Sequence, residues 1–189
     1  MEQPASLWNF SVHTYGKPGV ADACLALQDR HGLDVNMLLF CCWFGRTRGV
    51  VGEPLWDRVL AFSEPWADNV VRPLRAVRTW MKHTGCTQPD VSNDECMTLR
   101  EEIKRIELKT EQLQENTLQS LAEDLPVQSL DSTSQINCTA LNIKEYIRQC
   151  SVELDAESRL CLAHIVTAAI GGATLDEVSD SIRVTFQES

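Results

Sequence analysis

Four residues in the last third of the chain, Cys138, Cys150, Cys161 and His164, carry the ligand types of a structural zinc site: three thiolates and an imidazole. Cys161 and His164 stand three apart, so one helix face would present both. The gaps between the cysteines, eleven and then ten intervening residues, lack the short C-x-x-C knuckle of most such sites. Metal binding at these four is one reading; a hydrogen-bonded histidine and thiols packed in a core is the plainer one. Cys41 and Cys42 raise the same question as a redox or soft-metal pair. Neighbours on a helix point about 100° apart, so adjacent thiols neither share a metal easily nor close a relaxed disulfide. Packing is the expected role of that pair, and no cofactor is expected.

Asp29, His31 and Asp34 cluster in "DRHGLD" and could serve acid–base chemistry or hold a metal. A corner between two helices explains them more simply: Gly32 ends one helix, Leu33 follows as its apolar clasp, and Asp34 caps the next. The sequence contains no glycine-rich phosphate loop, nucleophile elbow or H-E-x-x-H. No catalytic residue is therefore named.

Arg72, Arg75, Arg78 and Lys82 fall three or four apart and form a basic stripe along one helix, with Arg46 and Arg48 as further basic groups. Such a stripe could dock an acidic partner or RNA phosphates. The alternatives are a solvated face or an internal partner for the acidic helix at 94–123. Trp66 and Trp80 flank the stripe, and core burial is expected for each.

The elements that must position these groups all read as helices. Ser6 caps a first one, "GKPG" breaks the chain, and Val20, Ala23, Cys24 and Leu27 form the apolar stripe of a second. The third, Val35 to Phe44, has no polar face and is too short for the roughly 20 apolar residues of a bilayer span. It is expected to be the central core helix, enclosed by others, with Gly45, Gly49 and Gly52 marking a loop after it. "EPLWDRVLAF" reads as a fourth helix and the segment capped by Ser63 as a fifth, kinked near Arg72 by Pro73. Over 94–123, Leu99, Ile103, Ile106, Thr110, Leu113 and Thr117 repeat at alternating spacings of 4 and 3, the seam of a coiled coil or helical hairpin. A polar linker over 126–139 and helices over 140–189 close the chain. A helix–corner–helix at 20–44 invites comparison with a DNA-reading motif, but its second helix offers no polar side chains to base edges.

Charge divides the chain. Residues 1–91 hold nine Lys/Arg and nine Asp/Glu, together with all five tryptophans; the remainder holds eight basic and eighteen acidic groups and so carries the whole net charge of −10. An acidic protein is poorly suited to generic nucleic-acid binding. The opening "MEQPASLWNF" has neither a basic nor an apolar leader, so the eight cysteines are expected to be reduced, in a cytoplasmic protein.

The stretch "SLWNF…Y.KPGVADACLALQDRHGLDVNMLLFCCWFG" resembles the N-terminal signature of a proteobacterial family of small helical proteins of unknown function, SLW-x-F followed by PGV-x-x-ACL-x-LQD-x-x-G-x-DVN-x-LLF. The likeness continues through "EPW…VVRPLRAVR" and "IKRIELKTEQLQ" and thins after about residue 125. It implies a bacterial cytoplasmic helical protein and brings no activity with it.

The expected fold is an all-α bundle with a fully apolar central helix, a long acidic helix and a small helical tail. Its divisions are an aromatic core over 1–91, the acidic helix over 92–125, the linker over 126–139 and the tail over 140–189. The expected function is a non-enzymatic protein-interaction or adaptor module meeting another protein, with no membrane span and with self-association through the 94–123 helix as an option. The first alternative is an enzyme, or a cofactor- or metal-binding protein, with a pocket in the Trp/Cys core lined by Cys24, Cys41 or His164. The second is a ribonucleoprotein-associated factor binding through Arg72 to Lys82.

Overall fold

Helix follows helix from Leu7 to Gln187 in the computed structural model, which describes residues 6–88 and 90–187. The opening five residues, part of the segment read above for the absence of a leader, lie outside the described residues. The order is α1 (Leu7–Tyr15), α2 (Val20–His31), α3 (Val35–Thr47), α4 (Glu53–Trp66), a π-helical turn (Ala67–Val71), α5 (Arg72–His83), a 3-10 turn (Gly85–Thr87), α6 (Asn93–Leu121), α7 (Ser132–Gln149), α8 (Ala156–Ala169) and α9 (Leu175–Gln187). The protein is an all-α bundle, with no strand among the described residues, and no helix is long and apolar enough to cross a membrane.

Local chemistry fixes the helix starts. The side chains of Ser6, Asp34, Ser92, Asp131 and Asp155 each accept a hydrogen bond from a backbone N–H in the first turn of the following helix. Gly32 closes α2 in the left-handed conformation at φ 66°, and Leu33 beside it is buried. The helix corner at 28–34 is thus built as its residue types imply.

α3 is the centre. Every residue from Asn36 to Gly45 is buried, with Phe40, Cys41 and Cys42 fully so. α7 lies along one side of it, and α1, α6 and α8 cover the others. The Phe40 ring stands 5.7 Å from that of Phe44 and 6.2 Å from that of Trp43. Burial pushes the thiols of Cys41 and Cys42 well above the ordinary range and that of Cys24 up to about 12. These thiols are inert filler. The same core takes in Ile143 and Ile147 of α7, Leu162, Ile165 and Val166 of α8, and Val178 and Ile182 of α9.

Several local expectations are corrected. Gly45 is not in a loop: α3 runs on to Thr47, and a Cβ at Gly45 would meet the backbone nitrogen and Cα of Thr139 at 2.7 Å, so glycine lets α3 and α7 touch backbone to backbone. Ser63 does not cap a fifth helix; it is buried inside α4, which runs through Pro65. Ahead of Pro73, where a kink near Arg72 is expected, the chain widens into the π-helical turn, in which the Arg72 N–H reaches back five residues to the Ala67 carbonyl. Two prolines eight positions apart each remove a backbone donor, and the wider turn absorbs the mismatch. The linker is shorter than its polar composition suggests, because Asp131 caps α7 at Ser132.

The largest correction concerns the cysteines. Cys86 and Cys96 form a disulfide that ties the 3-10 turn to the first turns of α6. The polar loop between them hid this pairing from the sequence, and with it goes one reason for a reducing compartment. Closing a loop of this length contributes about 3 kcal/mol in the chain-entropy view.

Candidate functional site

The functional chemistry of the molecule gathers on α6. Leu99, Ile106 and Leu113 of its apolar seam find no helix within the chain to cover them and are 51%, 50% and 47% exposed. The buried residues of the helix are Glu107, Gln114, Glu115 and Leu118. The reason lies in what α6 packs against. α5 presents Arg75 and Arg78, and the start of α3 presents the Asp34 cap and Asn36. Dehydrating these groups without partners costs more than leaving three aliphatic side chains wet. α6 therefore turns its polar flank inward.

Arg75 donates from Nε to Glu107 at 2.9 Å and from Nη2 to Glu111 at 2.6 Å, and its third nitrogen reaches Gln28 of α2. Arg78 closes on both oxygens of Glu107. Burial alone would raise the Glu107 carboxyl; the hydrogen bonds from Arg78 and Arg75 outweigh it and hold the group below the usual carboxylate range. For Glu111 burial wins over Arg75, and its carboxyl titrates higher than usual. The basic stripe is therefore largely an internal clamp. Arg72 pairs with Asp68 and donates to the Gly32 carbonyl at 2.9 Å, and Lys82 lies exposed at the far end. Trp66 donates to the Thr110 carbonyl, whereas Trp80 is 55% exposed beside Gly85, contrary to the expected burial.

One turn further along α6, Gln114 donates to Asp34 and to Ser63 at 2.6 Å each and accepts from Asn36 at 2.8 Å. This knot joins α3, α4 and α6 and accounts for Asp34 and Ser63 without catalysis. Asp34 N–H donates to the Tyr146 hydroxyl at 2.9 Å, which brings α7 into the same network.

Beside the clamp lies a cleft of about 630 Å³ between α1, α2, α3, α5 and α6. Trp8, Val12 and Tyr15 of α1, Leu25 of α2 and Leu108 of α6 give it apolar walls, and the Arg75/Arg78–Glu107 clamp borders it. Glu115 also lines it, 1% exposed, and neither of its carboxylate oxygens has a hydrogen-bond partner. The Ser11 hydroxyl beside it likewise lacks a partner of hydrogen-bond geometry. Burial first pushes the Glu115 carboxyl up to about 8; the nearby Ser11 hydroxyl offsets part of this, and the Glu111 and Asp34 carboxylates add to it. The volume falls within the range of small-ligand sites.

Residues 6–118 match the family model described as Protein of unknown function (DUF2390). The chain belongs to that family. No curated protein and no solved structure matches it. Every residue named above as lining the cleft, the whole clamp and the outer stripe of α6 lie within the matched span, so the family's region carries these features complete.

Cys138, Cys150, Cys161 and His164 fall after the matched span, and the structure does not bring them together. Among the described residues no group of three or more His, Cys, Asp or Glu side chains could hold a metal ion. Cys150 ends α7 near Tyr146, Cys161 sits on α8 near Glu157, and the exposed His164 ring lies against Gly19 rather than in the core. Asp29 is exposed and His31 hydrogen-bonds Ser158 at 2.7 Å, so the corner does not converge on one reacting point. The 630 Å³ cleft reaches none of Cys24, Cys41 or His164.

Glu115 and Gln114 were not singled out by sequence reasoning. A signal existed: Glu107, Glu111 and Glu115 repeat every four residues on one face, matching Arg75 and Arg78 three apart on the preceding helix.

Proposed function

We propose that this member of the family is a non-enzymatic protein-interaction module whose contact face is the outer stripe of α6, and that its partner is a second copy of itself. The observation that carries the reading is the exposure of Leu99, Ile106 and Leu113, seven residues apart on one straight line. Apolar side chains repeated at this spacing are what a neighbouring helix packs against.

Charge favours a second copy. Three of the seven acidic groups of α6, Glu107, Glu111 and Glu115, face the core side. The outward flank keeps Glu102 and Lys109, both exposed and without an ion-pair partner among the described residues. In an antiparallel pair centred near Ile106, Leu99 meets the partner's Leu113, and Glu102 meets the partner's Lys109 twice over. An isologous contact of this kind is self-complementary by symmetry. Three aliphatic side chains per chain make a small seam, so the pairing is weak and reversible.

Sedimentation analysis of the full chain is expected to show concentration-dependent dimerisation. The triple variant L99S/I106S/L113S should be monomeric with unchanged helicity, since all three side chains are half exposed. E102K should weaken pairing by like-charge repulsion, and E102K/K109E should restore it. A wild-type chain that stays monomeric throughout the micromolar range, or a double swap that restores nothing, contradicts the proposal.

A further inference from the structure

The cleft beside the clamp holds one carboxyl group more than its own cations can serve. Arg75 is committed to Glu107 and Glu111, and Arg78 to Glu107. The rim lysine, Lys104, pairs outward with Glu101 at 3.6 Å. Glu115 is left at the floor with both oxygens dry and unmatched. The polar groups that line the cleft with it include Tyr15 from α1, Gln28 from α2, Arg75 and Arg78 from α5, and Lys104, Glu107 and Glu111 from α6, and the Asp34 carboxylate ahead of α3 also acts on it. The Ser11 hydroxyl acts on it as a neutral dipole, and the charged neighbours that act on it are the Glu111 and Asp34 carboxylates, so the local field is one that a positive charge would relieve.

Above this floor the walls are the reverse: apolar and wet. Val12 is 55% exposed and Leu108 52%, and Trp8 and Tyr15 add aromatic surface. A dry carboxyl under a wet apolar funnel is complementary to a molecule with one cationic end and an apolar body.

We propose that the cleft is a binding site for a small amphipathic organic cation, a primary ammonium on an apolar or aromatic body, with the Glu115 carboxylate as its counter-ion. The ammonium donates to the Glu115 oxygens and to Ser11, the groups that lack partners in the empty cleft. The body displaces water from Trp8, Val12 and Leu108. Binding needs Glu115 ionised, so one proton leaves the carboxyl as the cation enters. The site lies on the flank of α6 turned away from Leu99, Ile106 and Leu113, so it stands or falls independently of self-association.

The test is calorimetric titration of the full chain with 2-phenylethylamine, alongside the uncharged 2-phenylethanol and the bodiless methylammonium. The amine is expected to bind at least about tenfold tighter than either comparator. Its affinity should rise by roughly tenfold per pH unit from 6 to 8, as Glu115 gives up its proton, and then level off. Glu115→Gln keeps the shape of the neutral group, so the variant should fold as the wild type does, lose at least about tenfold in amine affinity and lose the pH dependence. Trp8→Ala should weaken amine and alcohol alike. Equal binding of amine and alcohol, an unaffected E115Q variant, or no binding of the amine overturns the proposal.

Discussion

Replacing Glu115 by leucine should stabilise the protein, by about 1–3 kcal/mol at neutral pH, because it removes a buried polar group that no partner satisfies. The same change should flatten the pH dependence of stability. The carboxyl titrates near 8 in the folded state, against an ordinary glutamate value of 4.5 when unfolded. Between those limits the folded chain holds a proton that the unfolded chain has lost, so stability falls as pH rises. The stabilising contribution is fully present below 4.5 and gone above about 8, and it amounts to at most about 5 kcal/mol for this one group. Glu111 and Asp34, both raised by burial, act in the same direction. Glu107, lowered by its arginines, acts in the opposite direction and loses its contribution only as pH falls toward the acid range. Urea unfolding of wild type and E115L across pH 5 to 9 checks this. A wild-type curve that rises over this range, or a variant less stable than the parent at neutral pH, would count against an unpaired inward carboxyl. A residue that destabilises the fold it sits in is usually retained for use, which fits a binding role.

Phe40→Ala should act in the opposite direction and cost about 3–5 kcal/mol. The side chain is fully buried at the middle of α3, and its neighbours Phe44 and Trp43 belong to the same helix. They cannot move into the vacated space without unpacking α7 or α1, so the cavity stays largely open. Its denaturation midpoint should shift with no change in slope. A cost under about 1 kcal/mol would mean that α3 is not enclosed.

The enclosed helix was legible because Val35 to Phe44 has no polar face and is too short to span a bilayer, which leaves burial among other helices. The corner at Gly32 and Asp34 was legible because capping depends on local residue types alone. The orientation of α6 was not. The seven-residue spacing of Leu99, Ile106 and Leu113 describes an apolar stripe correctly, but spacing does not say whether the stripe faces the core or water. That choice was made by Arg75, Arg78 and Asp34, groups remote in sequence whose burial required partners. Ser63 misled for the same reason: serine before a Glu-Pro pair is a strong local cap signal, overridden here by the Gln114 knot. The Cys86–Cys96 bond was hidden because pairing depends on how the loop folds back.

An inward polar flank on α6 underlies the clamp, the cleft and the outer stripe together. NMR titration of the glutamate side-chain carboxyl carbons reads that flank residue by residue. Glu115 should be the straggler, changing near pH 8 rather than near the ordinary glutamate value of 4.5. If Glu115 titrates near that ordinary value, α6 does not turn that face inward, and neither the ammonium site nor the exposed leucine stripe can be as described.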